Sequence, residues 1–254
     1  SSDVCSSDLR IKSSGANAIR VYEIPDRILL DAAHHAGLAV FAGLRWGQGM
    51  NSRDEPKHLS AAKVTLAQQL TDVGQHPALV GVYVANEIPA DLVRWMGPAF
   101  VRDVLEDLIS LGRSLAPHLL FAYANYPSTE YVEPDNADFT AFNIFLENES
   151  SLRAYLPRLH HVAGDRPVVI SEFGLDTQRN GIERQAATLV WGLRAMKEAG
   201  MAGMTVYAWS DRWWNGGREM SDWAFGLVDR SGEAKPALAV VAAAFAETEI
   251  FSIH

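Results

Sequence analysis

Short, nearly unbroken apolar runs recur along the chain, and longer stretches between them carry apolar residues at every third or fourth position. The first pattern reads as buried strands and the second as amphipathic helices. Strands are predicted over 18–22, 38–44, 79–85, 119–124, 139–145, 168–170 and 204–208. The last turn of a helix closes at Gly15, and further helices are predicted over 26–35, 60–73, 98–115, 152–161, 182–199 and 236–246. In the 60–73 helix, Val64, Ala67, Leu70 and Val73 are expected to share the buried face. Strands apolar on both faces indicate a parallel sheet covered by helices.

Seven such strands, mostly separated by helices, fit an α/β fold of the (β/α)8 TIM-barrel type, which takes about 250 residues as one domain. A closed barrel has eight strands, and this chain begins inside what would be the first helix. The expectation is therefore a barrel over residues 10–254 that lacks its first strand. Residues 1–9 contain a near-repeat, Ser-Ser-Asp-Val and Ser-Ser-Asp-Leu, without amphipathic pattern, and read as a non-native segment. No Gly-rich phosphate loop follows any strand, which argues against a nucleotide-binding doubly wound sheet.

Composition narrows the function classes. With 22 basic and 31 acidic residues the net charge is −9, which disfavours nucleic acid or an anionic membrane as partner. The apolar runs are too short to span a bilayer. Cys5 is the single cysteine, so no disulfide framework and no cysteine metal cluster is expected. His34-His35 and His160-His161 sit near helix ends without carboxylates at ligand spacing, so no metal or other cofactor is expected. No start methionine or signal peptide is visible, and the sequence assigns no compartment. Five of the seven Trp follow residue 190. Indole rings stack on sugar faces as well as filling cores, so a carbohydrate partner and simple core packing both account for them.

In a barrel the reactive groups sit at the carboxyl ends of strands. Here those ends are polar: Arg20 and Tyr22, Arg45 and Trp46, Asn86 and Glu87, Asn125 and Tyr126, Ser171 and Glu172, then Trp209, Ser210 and Asp211, with Asn143 inside its strand. Glu87 and Glu172 would thus face one mouth from different strands. Retaining glycosidases need such a pair, with carboxyls about 5–5.5 Å apart, one neutral and one ionised. Arg20 is the candidate to keep the nucleophile ionised. Spacing alone leaves a second reading open, in which each glutamate is a salt-bridged or capping residue. The loop from Asp211 through Trp214 to Trp223 either shapes sugar subsites or packs on the rim.

Two local strings add a resemblance. Val84-Ala85-Asn86-Glu87-Ile88-Pro89 and Val169-Ile170-Ser171-Glu172-Phe173-Gly174 resemble the two active-site signatures of clan A glycoside hydrolases. Gly15 to Tyr22 resembles the strand-two segment of that clan, and Tyr207-Ala208-Trp209-Ser210-Asp211 its strand-eight Trp. The nearest likeness is to family 2 barrels, with echoes of families 5, 17 and 72. Asn-Glu-Ile-Pro stands where Asn-Glu-Pro is usual, Ala85 replaces a common Gly, and Trp46 takes the place of a His. The resemblance implies a retaining β-glycosidase with Glu87 as acid/base and Glu172 as nucleophile. It implies that Asn86 bonds the sugar 2-hydroxyl and that Trp209 stacks on the sugar. A β-glucan transglycosylase of the same mechanism and a non-catalytic carbohydrate-binding barrel are the alternatives.

Overall fold

The structure is a computed structural model that describes residues 9–45, 55–215 and 217–247, with the backbone alone for 55–59 and 215. A helical turn at residues 9–13 (α1) leads into β1 (Ala18–Val21), and strands and helices then alternate. The elements that follow are α2 (Arg27–His35), β2 (Ala39–Gly43), α3 (Glu55–Val73), β3 (Leu79–Asn86), α4 (Ala90–Met96), α5 (Pro98–Leu115) and β4 (Leu120–Asn125). After a 3-10 turn at Pro127–Val132 come β5 (Thr140–Asn143), α6 (Glu149–Ala163), β6 (Val168–Phe173), α7 (Thr177–Asn180), α8 (Ile182–Glu198) and β7 (Gly203–Val206). A two-stranded hairpin, β8 (Trp214–Asn215) and β9 (Arg218–Glu219), precedes the final helix α9 (Pro236–Ala246).

Strands β1 to β7 pair in sequence order, every neighbour parallel, into one nearly closed barrel. This is an α/β TIM barrel lacking one strand, as the apolar periodicity predicts. Among the described residues β1 pairs only with β2 and β7 only with β6, and both outer strands are half-buried along their whole length.

Strand alternation sorts the core into an inside and an outside. Phe41, Tyr83, Ala122, Ala124, Ala141 and Val169 turn to one face and pack with Phe139. The rings of Phe41, Tyr83 and Phe139 lie about 6 Å apart and plug the barrel. Val40, Ala42, Val82, Val84 and Phe121 face the other way, against Leu66, Leu105 and Leu108 of the helices. The helices start where the chain supplies caps: the Asp26 side chain accepts from Leu29 N–H, and Asn148 accepts from Ser151 N–H.

The buried face of α3 differs from the predicted one. Ala62, Leu66, Leu70 and Val73 are buried and Val64 is 56% exposed. Spacings of four, four and three residues keep those four side chains on one stripe, and Val64 falls off it. Elements α4, α7, the 3-10 turn and the β8–β9 hairpin are too short for periodicity to have marked them. Trp46 and residues 1–8 lie outside the described residues.

Candidate active site

Glu172 closes β6 and Glu87 follows β3 immediately, so both stand at the carboxyl end of the barrel. Three donors converge on Glu172 Oε1: Arg20 Nη1 at 2.5 Å, the Tyr22 hydroxyl at 2.7 Å and Asn143 Nδ2 at 2.9 Å. Arg20 and Glu172 form a buried ion pair, with side chains 4% and 7% exposed. Convergent, charge-assisted donors of this kind serve an anion. Among the described residues no hydrogen bond reaches the other oxygen, Oε2.

Arg20 has further duties. Its Nη2 donates to Asn86 Oδ1 at 2.6 Å, its Nη1 to the Ser171 carbonyl at 2.9 Å, and its guanidinium lies over the Tyr83 ring at 4.8 Å. Burial works against its charge, yet the charge of Glu172, then Tyr22 and Tyr83, and the Glu172 hydrogen bond outweigh that and raise its proton affinity. The plug of aromatic rings thus doubles as the floor on which the arginine rests.

Asn143 joins the two glutamates. Its Nδ2 donates to Glu87 Oε1 at 3.0 Å, to Asn86 Oδ1 at 3.0 Å and to Glu172 Oε1 at 2.9 Å. The two bonds from one nitrogen cap the distance between the glutamate oxygens at 5.9 Å. Ser171, fully buried, donates its hydroxyl to Asn143 Oδ1 at 2.6 Å and so fixes which way the amide faces. Burial first, then the charge of Glu172, push the Glu87 carboxyl above its ordinary range, against the Asn143 bond and the Arg20 charge. The neighbouring glutamates therefore sit in unlike surroundings.

Aromatic rings wall the Glu172 side. Tyr22 and Tyr207 each meet Trp213 edge-on, at 5.5 and 5.8 Å, and Trp213 stacks on Trp223 at 5.8 Å. Phe225 and Phe145 close on Tyr207 from behind, at 5.4 and 5.6 Å. Burial and the charge of Glu172 raise the proton affinity of both Tyr22 and Tyr207, so they remain phenols. Gly174 explains how Tyr207 comes so near: a Cβ there would stand 1.8 Å from the Tyr207 carbonyl oxygen.

The structure brings Arg20, Tyr22, Asn86, Glu87, Asn143 and Glu172 together, leaves Tyr126 within reach of the Glu87 charge, and engages Asn125, Trp209 and Asp211 elsewhere. Trp209 packs beside α8 and α9 with Arg10 over its ring at 5.8 Å, and Tyr207, two residues earlier, stands near Glu172 in its place. Asp211 is buried in an ion pair with Lys235 Nζ at 2.8 Å and accepts from Gly226 N–H at 2.7 Å, which pins the Trp-bearing loop. Trp214 is 61% exposed on the hairpin. Asn125, the last residue of β4, is fully buried with its side chain bonded to Glu133 and Thr129, and the Tyr126 hydroxyl accepts from Ala90 N–H at 2.9 Å. The sequence marks Ser171 only as a strand-end residue and Tyr207 only as part of the Trp209 string, and neither is assigned a role there, although strand alternation places Tyr207 opposite in facing to its neighbours. Among the described residues no group of three or more His, Cys, Asp or Glu could hold a metal ion, and no helix is long and apolar enough to cross a membrane.

No family model and no curated protein matches the sequence. Solved structures do resemble the fold. The chain is similar to a β-glucuronidase from Ruminococcus gnavus in complex with uronic deoxynojirimycin, at TM-score 0.82 and 15% identity over 96% of this chain and 46% of that one. It is similar to the same enzyme in complex with D-glucuronic acid, at TM-score 0.81 and 16% identity over 96% and 46%. It is similar too to a Bifidobacterium dentium β-glucuronidase complexed with coumarin-3-O-glucuronide, at TM-score 0.80 and 16% identity over 97% and 43%. The chain spans less than half the length of each of these proteins. At such identities the likeness is one of fold: this chain shares their TIM-barrel architecture.

Proposed function

We propose that the chain carries the active site of a retaining β-glycosidase, with Glu87 as acid/base and Glu172 as nucleophile. The observation that carries this reading is the single amide nitrogen of Asn143, bonded to both glutamates. It holds the two Oε1 atoms within 5.9 Å of each other. Retaining enzymes use carboxyl separations of about 5–5.5 Å, whereas inverting ones need about 6.5–9.5 Å to admit a water. The barrel neighbours that bind glucuronic acid and its derivatives are in keeping with a β-linked carbohydrate substrate.

Each residue has a task in the two displacements. Glu172 attacks the anomeric carbon through Oε2, because Oε1 is occupied by Arg20, Tyr22 and Asn143. The glycosidic C–O bond breaks as the raised Glu87 carboxyl hands its proton to the departing oxygen, which leaves as an alcohol. The product is a glycosyl ester on Glu172 and a Glu87 carboxylate. That carboxylate then takes a proton from water, whose oxygen attacks the anomeric carbon and releases Glu172 with retention. Asn86, positioned by Arg20 through its Oδ1, presents its amide nitrogen to the sugar 2-hydroxyl. Tyr207 and Trp213 form the apolar wall of the sugar site.

Turnover of 4-nitrophenyl β-glycosides, with β-glucuronide, β-glucoside and β-galactoside compared, tests the reading. Glu172→Gln is expected to abolish it, and a 2-deoxy-2-fluoro β-glycoside should leave its label on Glu172. Undiminished turnover by Glu172→Gln would refute the assignment.

A further inference from the structure

Glu87 has φ of +43°, the left-handed region that a residue with a side chain adopts when its surroundings impose it. What imposes it is one short stretch of β4 and its exit. Glu87 N–H donates to the Ala124 carbonyl at 2.9 Å, Ile88 N–H to the Tyr123 hydroxyl at 3.0 Å, and Ala90 N–H to the Tyr126 hydroxyl at 2.9 Å. Pro89 has no N–H to place. Every backbone donor from Glu87 to Ala90 is therefore taken by residues 123–126, two of them by phenol oxygens instead of the regular ladder.

The Tyr123 hydroxyl lies beside Thr129, whose Oγ1 donates to Asn125 Oδ1 at 2.8 Å, and Asn125 Nδ2 donates to Glu133 Oε2 at 3.0 Å. Tyr123, Thr129 and Asn125 are fully buried and Glu133 is 7% exposed. A chain of buried polar groups costs stability unless each link is satisfied, and once satisfied it is rigid. Asn125 and Tyr126, which their strand-end positions mark as substrate contacts, thus also hold this segment: Asn125 through Thr129 and Glu133, Tyr126 through Ala90 N–H.

We propose that Tyr123 is a positioning residue for Glu87: its hydroxyl, which accepts from Ile88 N–H and is buried beside the Thr129–Asn125–Glu133 chain, fixes the left-handed turn that aims the Glu87 carboxyl at Asn143. The proposal rests on the reading of Glu87 as the acid/base. Without the clamp, the segment relaxes toward an ordinary backbone conformation and the carboxyl swings away from Asn143 and the buried charge of Glu172. Proton delivery suffers first, since it demands hydrogen-bond reach to the leaving oxygen, while the Glu172 cluster is untouched.

Tyr123→Phe removes one oxygen and keeps the ring. The first measurement needs no substrate: the Glu87 carboxyl is titrated by 13C NMR, assigned with Glu87→Gln. The proposal expects the titration midpoint to fall toward the ordinary glutamate range in Tyr123→Phe; an unchanged midpoint overturns it. The second compares kcat/KM on phenyl and 2,4-dinitrophenyl β-glycosides. A loss of about tenfold or more is expected for the phenyl leaving group, which needs protonation, against less than about threefold for dinitrophenyl, which does not. Equal losses overturn the proposal, because they signal general loosening. Thr129→Val, which removes the hydroxyl beside Tyr123 and its bond to Asn125, should move both readouts the same way by a smaller amount. It also serves if Tyr123→Phe fails to fold. A wild-type chain that turns over none of these glycosides would sink the glycosidase reading, and the titration would still decide the positioning role.

Discussion

Replacing Glu133 by Gln should change how the stability of this protein depends on pH. Burial, partly offset by the Asn125 hydrogen bond and the charge of Arg166 and reinforced by Asp135, lifts the Glu133 carboxyl from an ordinary 4.5 to about 7. A folded-state value above the unfolded one means that the native chain holds a proton the unfolded chain has lost. The associated stability is complete below about pH 4.5 and disappears as pH rises through about 7. At about 1.4 kcal/mol for each tenfold change in proton affinity, that interval amounts to about 3 kcal/mol. Glutamine is neutral throughout, can accept from Asn125 through its oxygen, and loses nothing over the interval. Urea unfolding at pH 5 and pH 9, at fixed salt, measures the difference between wild type and Glu133→Gln. The variant should gain about 3 kcal/mol on the wild type between the two conditions. A difference that stays the same at both pH values would refute the argument that burial dominates this carboxyl.

Two further outcomes follow from contacts described above. Tyr22→Phe removes one of three donors to Glu172 Oε1; hydrogen bonds to charged groups are worth about 1.5–3 kcal/mol, so kcat/KM on the preferred aryl glycoside should fall about tenfold to a hundredfold with little change in thermal stability. Lys235→Met strands Asp211 in a site where both side chains are under a tenth exposed, and breaking a buried pair costs about 3–5 kcal/mol, which should appear as a lowered melting temperature and as faster proteolysis of the loop from Asp211 to Gly226.

Much of the barrel was legible in the sequence because strand and helix periods are local properties. All seven parallel strands fall where unbroken apolar runs lie, and α5 and α9 match the predicted ranges at both ends. Val64 shows the limit: a Val at helical spacing looks the same whether its stripe meets the barrel or the solvent. The site was legible where a residue's strand-end position decides its facing, as for Arg20, Glu87 and Glu172. It was illegible where partners arrive from afar. Trp209 looked like the sugar platform because the motif names a Trp, but Arg10 and the α8–α9 layer hold its ring. Asp211 looked like a mouth residue until Lys235, 24 positions later, claimed it. The clamp of tyrosine hydroxyls on the Glu87 turn has no sequence signature, since neither phenol is near that turn along the chain.

Asn143 offers two amide hydrogens to three oxygens, on Asn86, Glu87 and Glu172. At any instant one of the three lacks an Asn143 hydrogen, and Arg20, which also donates to Asn86 and Glu172, stands as a single cation among two carboxyls, an arrangement furnished for a single anion. On the proposed pathway that condition never lapses. Glu172 bears the negative charge before attack, Glu87 bears it while the sugar is esterified, and it returns to Glu172 on release. The pocket is thus isoelectric from one end of the cycle to the other. Only the address of the charge changes, by less than 6 Å, and neither salt nor solvent has to move in to compensate it.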